Sequence, residues 1–285
     1  MVKYLIIPDV HGRSFWKAHV NYFLENHQEA KIIFLGDYVD PYQYEGISPE
    51  EAFIILEEII QLKRKYSERI VLLIGNHDLH YLHNHSRGCR MDYERKSDLH
   101  ELFNDNKDMF NACFFDKINN KNIIFSHAGF TKEWINWHIG DLCPEWHEKH
   151  ICEEIYENID FEFLKSIDWN KKLFEEMDNF FAECSFYRGG YSQFSSFMWT
   201  DLEEMIMSTE HINAIQIFGH SQQENDPVNY KDYLYCIDCR KPFIMNENAE
   251  ITYIDGEKIE ENGTAIEERY HERAKQMLKY AGFFL

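Results

Sequence analysis

Three imidazoles, two carboxylates and one amide oxygen stand at matching places in this sequence, each just after a short apolar run. Tyr4–Pro8 runs into Asp9 and His11, and Lys31–Leu35 into Gly36, Asp37 and Asp40. Arg69–Ile74 runs into Gly75, Asn76, His77 and Asp78, Asn122–Phe125 into Ser126, His127, Ala128 and Gly129, and Ala214–Phe218 into Gly219 and His220. Such hard and borderline donors suit Mn²⁺, Fe or Zn²⁺ rather than a thiolate-preferring metal. A carboxylate can bridge two cations, and Asp37, in the middle of the set, is the candidate bridge. Six ligands and a bridge point to two ions about 3.5–4 Å apart, the spacing that clamps both ends of a phosphoryl displacement.

Side chains so far apart in sequence need a scaffold that gathers them. In an α/β sheet the carboxyl ends of the strands open onto the ligand crevice, where residues from distant segments converge. Glycines at 12, 36, 75, 129 and 219 stand where the backbone is expected to turn sharply. Any one of these runs could be a strand followed by an ordinary polar loop. Five in succession argue for one shared site.

Asp9-Val10-His11-Gly12, Gly36-Asp37-Tyr38-Val39-Asp40, Gly75-Asn76-His77-Asp78, Ser126-His127-Ala128-Gly129 and Gly219-His220 resemble the five ordered motifs of the calcineurin-like metallophosphoesterases. The branch resembled is that of the phosphoprotein phosphatases and the symmetrical diadenosine-tetraphosphate hydrolases. Asn76–Leu82 and His127–Trp134 lean toward the hydrolases, and Phe197-Met198-Trp199-Thr200-Asp201 is similar to an element of both. The resemblance covers most of residues 1–240. It implies a four-layer αββα sandwich, two mixed sheets face to face with flanking helices. It also implies Asp9, His11 and Asp37 on a first metal and Asp37, Asn76, His127 and His220 on a second. His77 would be the general acid, oriented by Asp40, and hydroxide held by the two ions would attack a phosphoester. An imidazole beside a carboxylate can stay protonated near neutral pH, which suits that role. The alternative for His77 is a histidine that only packs.

One departure from the pattern bears on the substrate. The phosphatases follow the second motif's Asp with an Arg that grips phosphate, whereas Asp40 is followed by Pro41 and Tyr42. Neither can offer a bidentate guanidinium. Arg188, in Tyr187-Arg188-Gly189-Gly190, and Arg13 are the leading replacements, with Arg87 and Arg90 as further candidates. Arg188 could equally be a solvated arginine in a glycine turn.

Composition sets outer bounds. The chain has 285 residues with no linker-like break or internal repeat, so a single domain over 1–285 is expected. Its apolar stretches are strand-length and Met1-Val2-Lys3 leads straight into a strand, so neither a signal peptide nor a membrane span is expected. Seven cysteines at irregular spacing fit reduced thiols in the cytoplasm. Cys236 and Cys239 have the spacing of a zinc or redox pair but lack a second pair and lie in a strand-like run, so they also read as structural. A net charge of −21 disfavours long nucleic acid as a partner, whereas two divalent ions would return four positive charges where a phosphate lands. A phosphorylated small molecule, a nucleotide or a phosphoprotein is the expected substrate.

Between the motifs the pattern is helical. Ser48-Pro49-Glu50-Glu51 is a capping box ahead of an apolar-rich run from Ala52 to Leu62, and Ser14–Asn26 and Ile266–Tyr280 also read as helices. Residues about 131–200 form an aromatic-rich helical stretch placed where a cap could grow, with Trp134, Trp137, Trp146, Trp169, Phe180 and Phe181. Those rings serve either as the core of a subdomain or as a lid over the leaving group. His77, His80, His83 and His85 form a histidine run whose first three members share a helical face. The leading functional reading is a phosphomonoesterase, with phosphoserine or phosphothreonine as candidate substrates. A dinucleoside-polyphosphate hydrolase is the alternative, and an inactive binding module of the same fold a third.

Overall fold

The computed structural model describes residues 1–83, 90–144, 159–176 and 180–280. Runs rich in Ile, Val, Leu and Phe form β1 (Val2–Ile7), β2 (Lys31–Phe34) and β3 (Ile70–Leu73), which pair in parallel. They belong to a six-stranded sheet of order β11-β10-β1-β2-β3-β4, with β4 at Phe110–Asn111, β10 at Phe243–Asn246 and β11 at Ile251–Tyr253. Strands β10 and β11 run antiparallel, so the sheet is mixed. The second sheet has the order β5-β6-β7-β9-β8: Cys113–Ile118, Lys121–Ser126, Ile215–Phe218, Leu234–Cys236 and Val228–Tyr230. Here β6, β7 and β9 are parallel, with an antiparallel strand on each side.

The two-residue period of a strand sorts its side chains between two cores. Tyr4, Ile6, Ile33, Leu35, Val71 and Leu73 meet Ile123, Phe125, Ile217 and Tyr235 in the layer between the sheets. Their neighbours Leu5, Ile7, Ile32, Phe34, Ile70 and Leu72 face the other way, against α1 (Lys17–Asn26) and α2 (Pro49–Lys65) through Val20, Phe23, Ile55, Leu56, Ile59 and Ile60. On the far side of the second sheet, Phe218, Leu234 and Cys236 pack on the helix Leu202–Met207. Both sheets are therefore covered on both faces, and the chain is a four-layer αββα sandwich.

The capping box forms as its sequence predicts. Ser48 Oγ accepts the Glu51 amide at 3.2 Å, Glu51 accepts the Ser48 amide at 2.8 Å, and Pro49 opens the helix. A cap of this kind contributes about 1 kcal/mol. Helix α1 starts at Lys17 and not at Ser14: the Lys17 amide closes a tight turn on the Ser14 carbonyl at 3.1 Å, and helical bonding begins with the Val20 amide on the Trp16 carbonyl at 2.9 Å. Of the aromatics between Trp134 and Phe181, Trp134, Trp169 and Phe181 are buried together with Phe130 and Phe197, and the last two rings stack 4.2 Å apart. Trp137 is exposed, and Trp146 lies outside the described residues. The C-terminal helix, Thr264–Tyr280, reaches the rest of the fold through Ile266 and through Tyr270, whose ring stacks on Tyr187. Among the described residues no helix is long and apolar enough to cross a membrane.

Candidate metal centre

All five predicted motifs lie at carboxyl ends of parallel strands: β1, β2 and β3 in one sheet, β6 and β7 in the other. The crevice between the sheets thus receives ligands from both walls. Four site residues adopt left-handed backbone, His11 (φ 45°), Asp37 (51°), Asp40 (57°) and His220 (62°). Such conformations cost roughly 1–3 kcal/mol each away from glycine and persist only where the surroundings impose them. Here the amides of Val10 and His11 bond the Asp37 carbonyl at 3.1 and 2.7 Å, and the Gly12 amide bonds the Tyr38 carbonyl at 2.8 Å. The Asp78 carboxylate adds a buried brace. It accepts the amides of Asp37 (2.7 Å), Tyr38 (2.9 Å) and Gly75 (2.8 Å), joining the second motif to the third.

The five glycines divide into two groups. Gly12, Gly36 and Gly129 have positive φ and make the expected turns. Gly75 and Gly219 do not. A Cβ on Gly75 would fall onto Asp37 Oδ1, and one on Gly219 onto Asp9 Oδ1. These two positions are bare because carboxylates lie across them, not because the chain reverses there.

The donor atoms converge in two groups that share one residue. Asp9, His11 and Asp37 form one, Asp37, His127 and His220 the other, each with all its donor atoms within 4.8 Å of one another. Asp37 directs Oδ2 toward His11 Nε2 (3.5 Å) and Oδ1 toward His127 Nε2 (3.6 Å). Asn76 Oδ1 lies 2.9 Å from both His127 Nε2 and His220 Nδ1. His11 Nδ1 donates to the Val39 carbonyl (2.8 Å) and His127 Nδ1 to the Leu35 carbonyl (2.9 Å), which leaves both Nε2 lone pairs facing the crevice. Acceptor atoms gathered this closely, buried and mixing imidazole with oxygen, suit divalent transition-metal ions. All six predicted ligands are present and nearly inaccessible to solvent.

Burial lowers the tendency of these imidazoles to protonate. His11 is pushed down to about 3 against the pull of Asp37, and burial also lowers His127 and, more strongly, His220. Burial opposes ionisation of Asp37, yet His127, His77 and His11 together hold its carboxyl below the ordinary range. Asp9 moves the other way, raised by burial and then by the carboxylates of Asp238 and Asp37. A negative cluster of this kind repels itself until a cation enters it.

Beside the cluster, His77 Nδ1 donates to Asp40 Oδ2 at 2.8 Å, and the His77 amide donates to Asp37 Oδ1 at 2.9 Å. The other Asp40 oxygen accepts the Tyr81 hydroxyl and the Asp92 amide (3.2 Å). The His77 ring lies 5.2 Å from that of His11 and 5.8 Å from that of His80, which is itself buried. His83 is described, while His85 lies outside the described residues.

Of the two predicted phosphate-binding arginines, Arg188 donates to the His220 carbonyl (2.9 Å) and pairs with Asp201 (3.1 Å). It lines a cavity of about 620 Å³ with Tyr42, His220, Gln222, Arg269 and Tyr270. Arg13 is largely buried and forks onto Glu45 at 3.0–3.1 Å. Arg90 lies against Tyr42, and Arg87 is outside the described residues. Several contributors were given no role from sequence: Asp78 and Tyr81, which lie within the third motif and its extension, and Asp92 and Asp238. Asp238 follows β9, the third parallel strand of the second sheet, and is buried with its carboxyl raised to about 7 by burial. The same strand-then-carboxylate signal was present at Tyr233–Cys239, beneath the more conspicuous Cys-x-x-Cys. Cys236 and Cys239 are buried free thiols, and Cys236 Sγ donates to the Ser221 carbonyl at 3.2 Å.

Known proteins share this fold. A serine/threonine phosphatase structure from Saccharomyces cerevisiae superimposes with a TM-score of 0.51 at 13% identity, covering 91% of this chain and 77% of the other. That likeness concerns the fold. An inferred serine/threonine-protein phosphatase of Caenorhabditis elegans is 30% identical over 131 residues, which span 46% of this chain and 34% of the relative. The chain thus matches about a third of that relative's length. The calcineurin-like phosphoesterase family model matches residues 2–224, a stretch that contains all five motifs, and the chain therefore belongs to that family of phosphoester hydrolases.

Proposed function

We propose that this chain is a two-metal phosphomonoesterase acting on phosphoserine, phosphothreonine or a comparable phosphate ester. The observation that carries the reading is Asp37, shared between two donor groups and bonded through Oδ1 to the amide of the residue proposed as acid, His77. Asp9, His11 and Asp37 would hold one ion, and Asp37, Asn76, His127 and His220 the other, with Mn²⁺ as the proposed metal and Fe or Zn²⁺ as alternatives. Bound there, two divalent ions neutralise phosphate charge and lower the pKa of water to near neutrality. The chain's own part is to place that chemistry and to manage the leaving group. His77, its Nδ1 proton held by Asp40, keeps a fixed ring orientation and, in its doubly protonated form, would deliver the Nε2 proton to the departing oxygen. Arg188, beside His220 at the cavity wall, would steady the substrate's phosphate, while Arg13, held by Glu45, would support the first motif.

A second reading, hydrolysis of dinucleoside polyphosphates, draws on the roughly 620 Å³ cavity, where Tyr42, Tyr270, Arg188 and Arg269 offer rings and cations to a larger ligand. The aromatic stretch at 131–200 does not favour it, because Trp134, Trp169 and Phe181 are buried. We place the chain in the cytoplasm, since all five described cysteines are free thiols, and propose no membrane or long nucleic-acid partner. The test is a turnover screen of the Mn²⁺-loaded protein on phosphopeptides, mononucleotides and diadenosine tetraphosphate. Hydrolysis of phosphopeptides supports the reading. Cleavage of the dinucleotide alone replaces it with the second.

A further inference from the structure

The arginines around the metal centre differ in what neutralises them. Arg13 and Arg240 both pair with Glu45, and Arg188 pairs with Asp201. Arg90 pairs with no carboxylate among the described residues. Its guanidinium lies 3.6 Å above the centre of the Tyr42 ring, and among the described residues its Nε and Nη2 donate only to the Asp40 carbonyl, both at 3.3 Å. In a chain with fifty acidic residues against twenty-nine basic ones, a partly exposed arginine held on neutral partners keeps its charge for something else. Nη1 takes no part in these contacts.

The position is as informative as the pairing. Tyr42 lines the same cavity as His220 and Arg188, and its ring lies 5.4 Å from that of His11. Asp40, whose carbonyl Arg90 grips, holds His77 through its side chain. The guanidinium is thus tied to the loop between a metal-ligand residue and the proposed proton donor. A planar cation stacked on an aromatic ring is pre-oriented, and it loses little entropy when an oxyanion arrives. We propose that Arg90 is a second guanidinium, beside Arg188, that grips the substrate's phosphate, and that Tyr42 is its positioning residue. This rests on the phosphomonoesterase reading of the same site.

Binding of inorganic phosphate to the Mn²⁺-loaded protein, followed by calorimetry, tests Arg90 without requiring turnover, and steady-state kinetics on p-nitrophenyl phosphate accompany it. Arg90→Ala is expected to weaken phosphate binding and raise KM by about 10- to 100-fold, the range of a charge-assisted hydrogen bond. Metal content and Tm should stay at wild-type values, and added ethylguanidinium should recover part of the loss. Tyr42→Phe should behave as wild type, while Tyr42→Ala should reproduce part of the Arg90→Ala defect. Phosphate affinity within twofold of wild type in Arg90→Ala overturns the proposal. So does a loss that travels with metal or Tm and resists ethylguanidinium. Wild-type protein that binds phosphate but turns over no ester would instead sink the phosphatase reading, leaving the Arg90 result to stand alone.

Discussion

Asp37 Oδ1 occupies the space that a side chain on Gly75 would need. The Asp37 carboxylate and the residue before Asn76 are therefore one packing unit, made of the second and third motifs. Asp78 closes the same unit from the other side through the amides of Asp37, Tyr38 and Gly75. A carboxylate fenced on two sides is preorganised to serve two ions at once, which sets how substitutions here should rank.

Asp37→Asn should lose more metal and more activity than Asn76→Ala, because a ligand shared by both groups disappears. Gly75→Ala should resemble Asp37→Asn in metal loss although it removes no donor atom, and should cost about 1–3 kcal/mol of stability from overpacking. Elemental analysis of the purified variants checks both. Full occupancy in Asp37→Asn, or about one ion per chain in active wild type, would count against a two-ion site.

His77→Asn should retain metal yet lose roughly 10²–10⁴-fold in kcat on alkyl phosphates, the usual worth of a general acid. On p-nitrophenyl phosphate the loss should be much smaller, since nitrophenolate departs without a proton. Asp40→Asn should give the same substrate pattern at smaller size, because Tyr81 and the Asp92 amide still hold that side chain. Equal losses on both substrates would remove His77 from the role.

How far the sequence could be read follows from range. The convergence of the candidate donors was legible because each follows its own strand, a relation confined to a few residues. Sheet order is not confined in that way. Asp238 joins the cluster only because β9 lies beside β7, and nothing local to Tyr233–Cys239 records that pairing. Arg90 and Tyr42 are likewise brought together across the second and third motifs by the fold. Gly75 and Gly219 looked like turn glycines, since a bare Cα needed for close approach and one needed for positive φ are spelled alike. The aromatics near Trp134 carried the same ambiguity between core and lid. Burial against Phe130 and Phe197 resolves it for Trp134, Trp169 and Phe181.

Asp238 gives a pH signature in the metal-free protein. Its carboxyl is raised from 3.8 to about 7, first by burial. Between those values the unfolded chain has lost a proton that the folded chain keeps bound. Ionisation then favours unfolding, by up to about 1.4 kcal/mol per pH unit. Asp238→Asn should therefore stabilise the chelated protein little at pH 4, progressively more toward pH 7, and by a constant amount above it. Tm measured across this range in EDTA checks the trend, and a benefit independent of pH would contradict it. The buried histidines have the opposite slope. His11, lowered to about 3, adds stability that is full above its unfolded value of 6.5 and declines as pH falls toward 3.

Substrate choice turns on the cavity beside His220. Arg188 is anchored there by Asp201 and the His220 carbonyl, so its position is set before any ligand arrives. If it steadies the phosphate, Arg188→Ala should raise KM several-fold, a loss on the order of 1–3 kcal/mol for a charged hydrogen bond. Its kcat should change less. Generic phosphomonoesters contact only the metal end of the site and should turn over slowly. A substrate that also reaches Tyr42 and Tyr270 should show the higher kcat/KM, because contacts remote from the reacting phosphate can be used in the transition state. Phosphoserine peptides with and without flanking aromatic residues, compared with diadenosine tetraphosphate, measure this directly. A flat kcat/KM across the series would show that the cavity contributes nothing to selection. Symmetrical cleavage of the dinucleotide alone would assign the cavity to a nucleoside and overturn the phosphomonoesterase reading.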